Sequence, residues 1–135
     1  MLFTANNGTT GFDSANIKVL SLADRRTKIV QAGATYGRVV GTRKDHTYLI
    51  YVNRSTLFAV PFDTDRLEVA GNPVPVLEEV GSSPSGAAEM DVSMGGTLVY
   101  RCVNRLRRRS VAMLNGLRPN RNLARTFHDR IRLTA

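Results

Sequence analysis

Several short combinations of residues carry the chemistry this sequence has to offer, and each meets a competing structural explanation. Gly81-Ser82-Ser83-Pro84-Ser85 approaches the Gly-x-Ser-x-Gly elbow that exposes a nucleophilic serine on a sharp strand-to-helix turn. Ser85 stands where the closing glycine belongs, so a flexible loop is the expectation and a serine hydrolase is rejected. Asp63 and Asp65 begin a calcium loop in spacing only, because its third ligand and its glycine are missing, and a solvated turn is expected. His46 and His128 have no partner four residues away and are expected to be loop or surface residues, not metal ligands. Glu78 and Glu79 would point to opposite sides of a strand, which argues against a paired acid and base. His128-Asp129-Arg130 holds the residues of a kinase catalytic triplet in the wrong order, with no glycine-rich nucleotide loop and no Asp-Phe-Gly. No nucleophile, base and stabilising group share a recognisable spacing. The expected catalytic, cofactor-binding and metal sites are therefore none, and the chain is not expected to be an enzyme.

The remaining chemical feature is a run of arginines. Residues 1–101 hold ten Lys or Arg against ten Asp or Glu, whereas 102–135 hold nine Arg, no Lys and a single acid, Asp129. The whole net charge of +8 thus belongs to the tail. Arg105, Arg107, Arg108, Arg109, Arg118, Arg121 and Arg125 have the charge to neutralise phosphates, which makes nucleic acid the alternative partner. Against it, Phe127 is the one aromatic available for stacking there, and no zinc or helix-turn-helix framework accompanies it. A boundary is expected near Arg101, with 102–135 either disordered or a poorly formed further strand over 110–114 ahead of Asn115-Gly116.

Composition bounds the rest. A chain of 135 residues with 42% hydrophobic content suits one globular domain, and the absence of Trp leaves its core to aliphatics, Phe and Tyr. Cys102 is the single cysteine, so neither an internal disulfide nor a cysteine zinc cluster can form. Met1-Leu2-Phe3-Thr4 lacks the basic and apolar regions of a signal peptide, and no stretch nears the ~18 apolar residues of a membrane span. Expressed as it stands, the segment is expected in the cytoplasm and without membrane contact of its own.

Stepping along the chain, apolar runs of strand length lie at 2–5, 17–22, 27–31, 36–40, 48–52, 57–60, 74–77, 89–93 and 97–100. Asn7-Gly8, Gly71-Asn72-Pro73 and Gly95-Gly96 supply turn chemistry between them. The body is therefore expected to be an all-β meander. Leu2-Phe3-Thr4-Ala5, Leu49-Ile50-Tyr51-Val52 and Leu98-Val99-Tyr100-Arg101 share a pattern at intervals of 47 and 49 residues, the period of a propeller blade. Gly33-Ala34-Thr35-Tyr36-Gly37-Arg38-Val39 matches the segment from Gly86 to Val92 at an offset of 53, with an insertion at 42–46. One complete four-stranded blade would use 34–40, 48–52, 57–60 and 74–77. Pro73 and Pro75 place its last strand at an outer edge, and Pro61 is expected to end or bulge the third.

Two phrases carry a family resemblance. Thr56-Leu57-Phe58-Ala59-Val60-Pro61-Phe62-Asp63, continuing through Arg66-Leu67-Glu68-Val69 to Pro73-Val74-Pro75-Val76-Leu77, resembles the TolB-like, WD-repeat-like propellers joined to bacterial serine/threonine protein kinases. Met90-Asp91-Val92-Ser93 with Gly96-Thr97-Leu98-Val99-Tyr100 resembles them too, so that the likeness covers roughly 2–101. It implies an incomplete β-propeller over 1–101, about two four-stranded antiparallel blades plus part of a third, followed by the irregular Arg-rich tail. It implies a non-catalytic protein-interaction or sensing module from the C-terminal region of such a kinase, or else the remnant of a propeller-containing peptidase. In a membrane-anchored kinase the segment would lie outside the cytoplasm. The reading frame is expected to be truncated at both ends, leaving blade edges open to self-association. A protein or peptide partner is expected on the face where loops 6–16 and 81–88 cluster. No functional residue carries over from the family.

Overall fold

The computed structural model describes residues 1–6, 8, 12–41, 46–83, 85–93, 97–102 and 110–115. Their order is all-β, with one 3-10 turn at Phe12–Ser14 and no α-helix among the described residues. Strands β1 (Leu2–Ala5), β2 (Asn16–Leu20) and β3 (Thr27–Ala32) form a first antiparallel sheet in chain order. Strands β4 (Thr35–Gly41), β5 (Thr47–Asn53), β6 (Thr56–Asp63), β7 (Glu68–Val69) and β8 (Val74–Leu77) form a second, with β8 paired to β6. Strands β9 (Met90–Val92), β10 (Thr97–Cys102) and β11 (Ser110–Asn115) form a third. Among the described residues no helix is long and apolar enough to cross a membrane.

The nine apolar runs each fall on a strand, for the reason that their residues have two sheet faces to fill. In β5 the consecutive Leu49, Ile50, Tyr51 and Val52 are all buried, a pattern that alternation with solvent would forbid. Leu49 and Tyr51 join Ile17, Val19 and Val30 of the first sheet in one core, while Ile50 and Val52 join Met90, Leu98 and Tyr100 of the third in another. The middle sheet is covered on both faces. The outer sheets alternate instead: Leu98 and Tyr100 are buried, and Val99 between them is 39% exposed.

Three sequence expectations change. Pro61 neither ends nor bulges its strand, since β6 runs on to Asp63 with Pro61 opposite Tyr48. Counting from the hydrogen-bonded pair that flanks the two-residue turn, Asn53 and Thr56, positions 48 and 61 are a non-hydrogen-bonded pair. The missing proline donor therefore costs no bond to β5, and the Pro61 carbonyl accepts from the Ala70 amide at 2.8 Å. Second, β7 was not foreseen; it exists because Asp63 reverses the chain within four residues and Leu67 takes φ +56°. Third, the alignment of Leu2 with Leu49 and Leu98 is one residue out of phase. Leu49 and Leu98 face the preceding sheet, whereas Leu2 packs into the core shared with the following one. Pro75 does sit in a strand paired on one side, as an edge position requires. The boundary expected near Arg101 falls inside β10, and β11 lies within 102–135.

Close approach of the first two sheets depends on Gly37. Tyr36 and Gly37 together oppose Tyr51, a bulge in which Tyr36 adopts φ +54°. The bulge turns Tyr36 toward the third sheet, where its hydroxyl donates to the Met90 carbonyl at 2.6 Å. Arg38 lies 5.5 Å from the Tyr36 ring centre and pairs with Asp91 at 2.9 Å. A Cβ on Gly37 would lie 2.7 Å from Ile17 Cγ2, so only glycine fits here without displacement.

Burial raises the phenols of Tyr36, Tyr51 and Tyr100 above their ordinary 10.0. A folded-state value above the unfolded one leaves the stability intact below pH 10.0 and removes it as pH climbs through the folded-state values. The midpoint of urea unfolding is accordingly expected to be flat from about pH 7 to 9 and to fall steeply by about pH 11. An unchanged midpoint across that range would show the phenols to be solvated.

Candidate functional site

A cleft of about 430 Å³ opens where three pieces of chain distant in sequence meet. Its first wall is Phe12, from the loop joining β1 to β2. Its second is the β5–β6 hairpin, through Val52, Arg54 and Ser55, with Thr35 beside them. Its third is the connector between the second and third sheets, through Ser82, Ser83 and Gly86.

Each wall has a local cause. Asn53 and Thr56 close a two-residue hairpin, and a right-handed strand pair demands positive φ at both central residues. Arg54 and Ser55 comply, with φ +45° and +64°. Glycine or asparagine would take this conformation more readily, so the turn holds two ordinary side chains against their preference, at a cost of order 1 kcal/mol each. The connector is laid down by backbone bonds: the Val80 amide donates to Ser55 O at 2.9 Å, the Gly81 amide to Arg101 O at 2.7 Å, and the Glu89 amide to Gly81 O at 2.7 Å. The Arg101 guanidinium grips Glu89 through two hydrogen bonds and fixes the far end. Within the loop, Ser83 N donates to Ala87 O and Gly86 N to Ser83 O, both at 2.9 Å. Gly86 has φ +76°, and a Cβ there would overlap the Phe12 ring, so the first and third walls touch at a point only glycine permits.

The cleft is chemically asymmetric. Among the described residues, Arg54 is the only charged one that lines the cleft; it is exposed and makes no ion pair with the others. Ser55, Ser82 and Ser83 bring hydroxyls; Thr35 Oγ1 donates to Val52 O at 3.3 Å and Ser83 Oγ lies 2.6 Å from Ser85 Oγ. Phe12 and Val52 supply the apolar surface.

The sequence candidates fall elsewhere or lack partners. Among the described residues no histidine and no carboxylate lines the cleft beside Ser82 or Ser83, so none of them is placed to activate either serine. Asp63 Oδ1 accepts from the amides of Asp65 and Arg66, both at 2.9 Å, and the Arg66 amide foremost holds the Asp63 carboxyl below its ordinary value. That carboxylate caps a turn. Glu78 and Glu79 are exposed, and Glu79 Oε2 accepts from Cys102 Sγ at 3.4 Å. His46 is exposed; His128, Asp129, Arg130 and the tail arginines lie outside the described residues. Among the described residues no three His, Cys, Asp or Glu converge as a metal site would require.

Sequence reasoning named loops 6–16 and 81–88 as the binding face but missed Arg54 and Ser55. Their signal was the four-residue gap between the apolar runs 48–52 and 57–60, of which the strands take Asn53 and Thr56 and leave an Arg-Ser pair as the turn. Comparison with protein-family models, with curated proteins and with solved structures finds no match for this chain.

Proposed function

We propose that this chain is a segment of a β-propeller of the TolB-like kind attached to serine/threonine protein kinases, and that it acts as a non-catalytic protein-interaction module. The observation that carries the proposal is the convergence of a loop of the first sheet, a hairpin turn of the second and the connector to the third on one cleft, with no general base beside its hydroxyls among the described residues. Three successive antiparallel sheets sharing two face-to-face cores support the propeller part. The resemblance phrases support it as well, since they occupy β6 to β8 and β9 to β10. Loops on a rigid sheet scaffold are the usual place for recognition.

The test is selection of phage-displayed random peptides on the immobilised full-length chain, followed by binding to Ser82→Trp, which fills the cleft from an exposed position. Selected peptides are expected to bind Ser82→Trp at least tenfold more weakly, and the pure chain to show no peptidase or phosphotransfer turnover. Equal binding to both proteins would place recognition on another surface.

A further inference from the structure

We infer that the cleft selects an acidic peptide segment, seating a carboxylate on Arg54 and a neighbouring apolar side chain against Phe12; this rests on the interaction reading above. Charge decides the first half. The body is formally neutral, yet among the described residues the cleft is lined by one cation and no acid. The Arg54 guanidinium has none of its five donors committed to a carboxylate among the described residues. A planar fork of that kind matches the two oxygens of a carboxylate. The backbone beneath it is fixed, because the left-handed turn is tied through the Ser55 carbonyl to Val80, a residue with no exposure. A pre-set donor loses less freedom on binding than one on a mobile loop.

Shape decides the second half. The Phe12 ring is held against Gly86 and lines the same 430 Å³ cleft as Arg54, giving an apolar surface beside the cation. The hydroxyls of Ser55 and Ser82 can donate to the second carboxylate oxygen or to peptide carbonyls. Nucleic acid is a poorer fit, since a phosphate backbone is held by several cations in register and the described residues of this cleft present one.

The probes are two fluorescein-labelled, C-terminally amidated peptides, Gly-Ser-Phe-Glu-Glu-Gly and Gly-Ser-Phe-Gln-Gln-Gly, titrated by anisotropy with the full-length chain. The Glu peptide is expected to bind at least tenfold more tightly than the Gln peptide. Arg54→Gln is expected to erase that preference and Arg54→Lys to restore part of it, while Arg118→Gln with Arg121→Gln in the tail leaves it intact. A preference that survives Arg54→Gln, or that vanishes in the tail variant instead, would overturn the assignment. So would a phosphoserine peptide binding more than tenfold better than the Glu peptide. If Ser82→Trp abolishes binding of selected peptides while the Glu and Gln probes bind alike, the interaction reading stands and the carboxylate assignment alone falls. If Ser82→Trp affects neither the selected peptides nor the probes, both fall.

Discussion

Ile50→Ala should lower the free energy of unfolding by about 2–5 kcal/mol, the range for emptying a large aliphatic site in a core. Ile50 has no exposed surface and sits in β5, the strand whose two faces serve both cores. Its loss leaves a void between the second and third sheets that neither can close without moving the other. Domains of this size hold roughly 5–15 kcal/mol in all, so the variant should be close to the limit of folding. Val99→Ala offers the contrast: 39% exposed on the outer face of the third sheet, it should cost under about 0.5 kcal/mol. Urea unfolding followed by far-ultraviolet circular dichroism measures both. Equal losses would mean that the middle sheet is not the shared wall of two cores.

Gly37→Ala is the second large effect, and it comes from adding one methyl group. The new Cβ would lie 2.7 Å from Ile17 Cγ2 and 2.8 Å from Ile17 Cδ1, well inside contact distance. Overpacking of this kind costs about 1–3 kcal/mol. Ile17→Ala alone should cost about 2–5 kcal/mol, because Ile17 is wholly buried. In the double variant the methyl group moves into the space that Ile17 vacates, so the combined loss should fall short of the sum by at least about 1 kcal/mol. Additivity within about 0.5 kcal/mol would show that the two sheets part instead of clashing.

How much of this was legible beforehand follows from what each feature depends on. The strands were legible because runs such as 48–52 and 57–60 are apolar, strand-sized and bounded by polar residues. The edge position of β8 was legible because Pro73 and Pro75 declare a missing donor. Pro61 misled, since its effect depends on which side of the strand its nitrogen faces, and that is set by the hairpin register counted from Asn53 and Thr56. The face of Leu2 misled for a related reason: a similarity of four residues cannot distinguish registers one residue apart, and one residue exchanges the faces. For the cleft, the two loops were nameable from composition, but contact between Phe12 and Gly86 joins residues 74 positions apart and is created only when the sheets pack. Arg54 and Ser55 were hidden because their turn uses neither Gly nor Asn.

The backbone bonds that carry the connector from Ser55 to Arg101 make the cleft a junction as well as a recess. Its three walls belong to the first sheet's loop, the second sheet's hairpin and the approach to the third sheet, so it exists in full only while all three are assembled. Occupancy and cohesion are then thermodynamically linked. A ligand that binds only the assembled state adds RT ln(1 + [L]/Kd) to its stability, roughly 2.7 kcal/mol at a concentration a hundred times Kd. By the same reciprocity, whatever loosens the sheets, from alkaline pH to a void at Ile50, weakens the grip on the ligand without touching a residue that lines it.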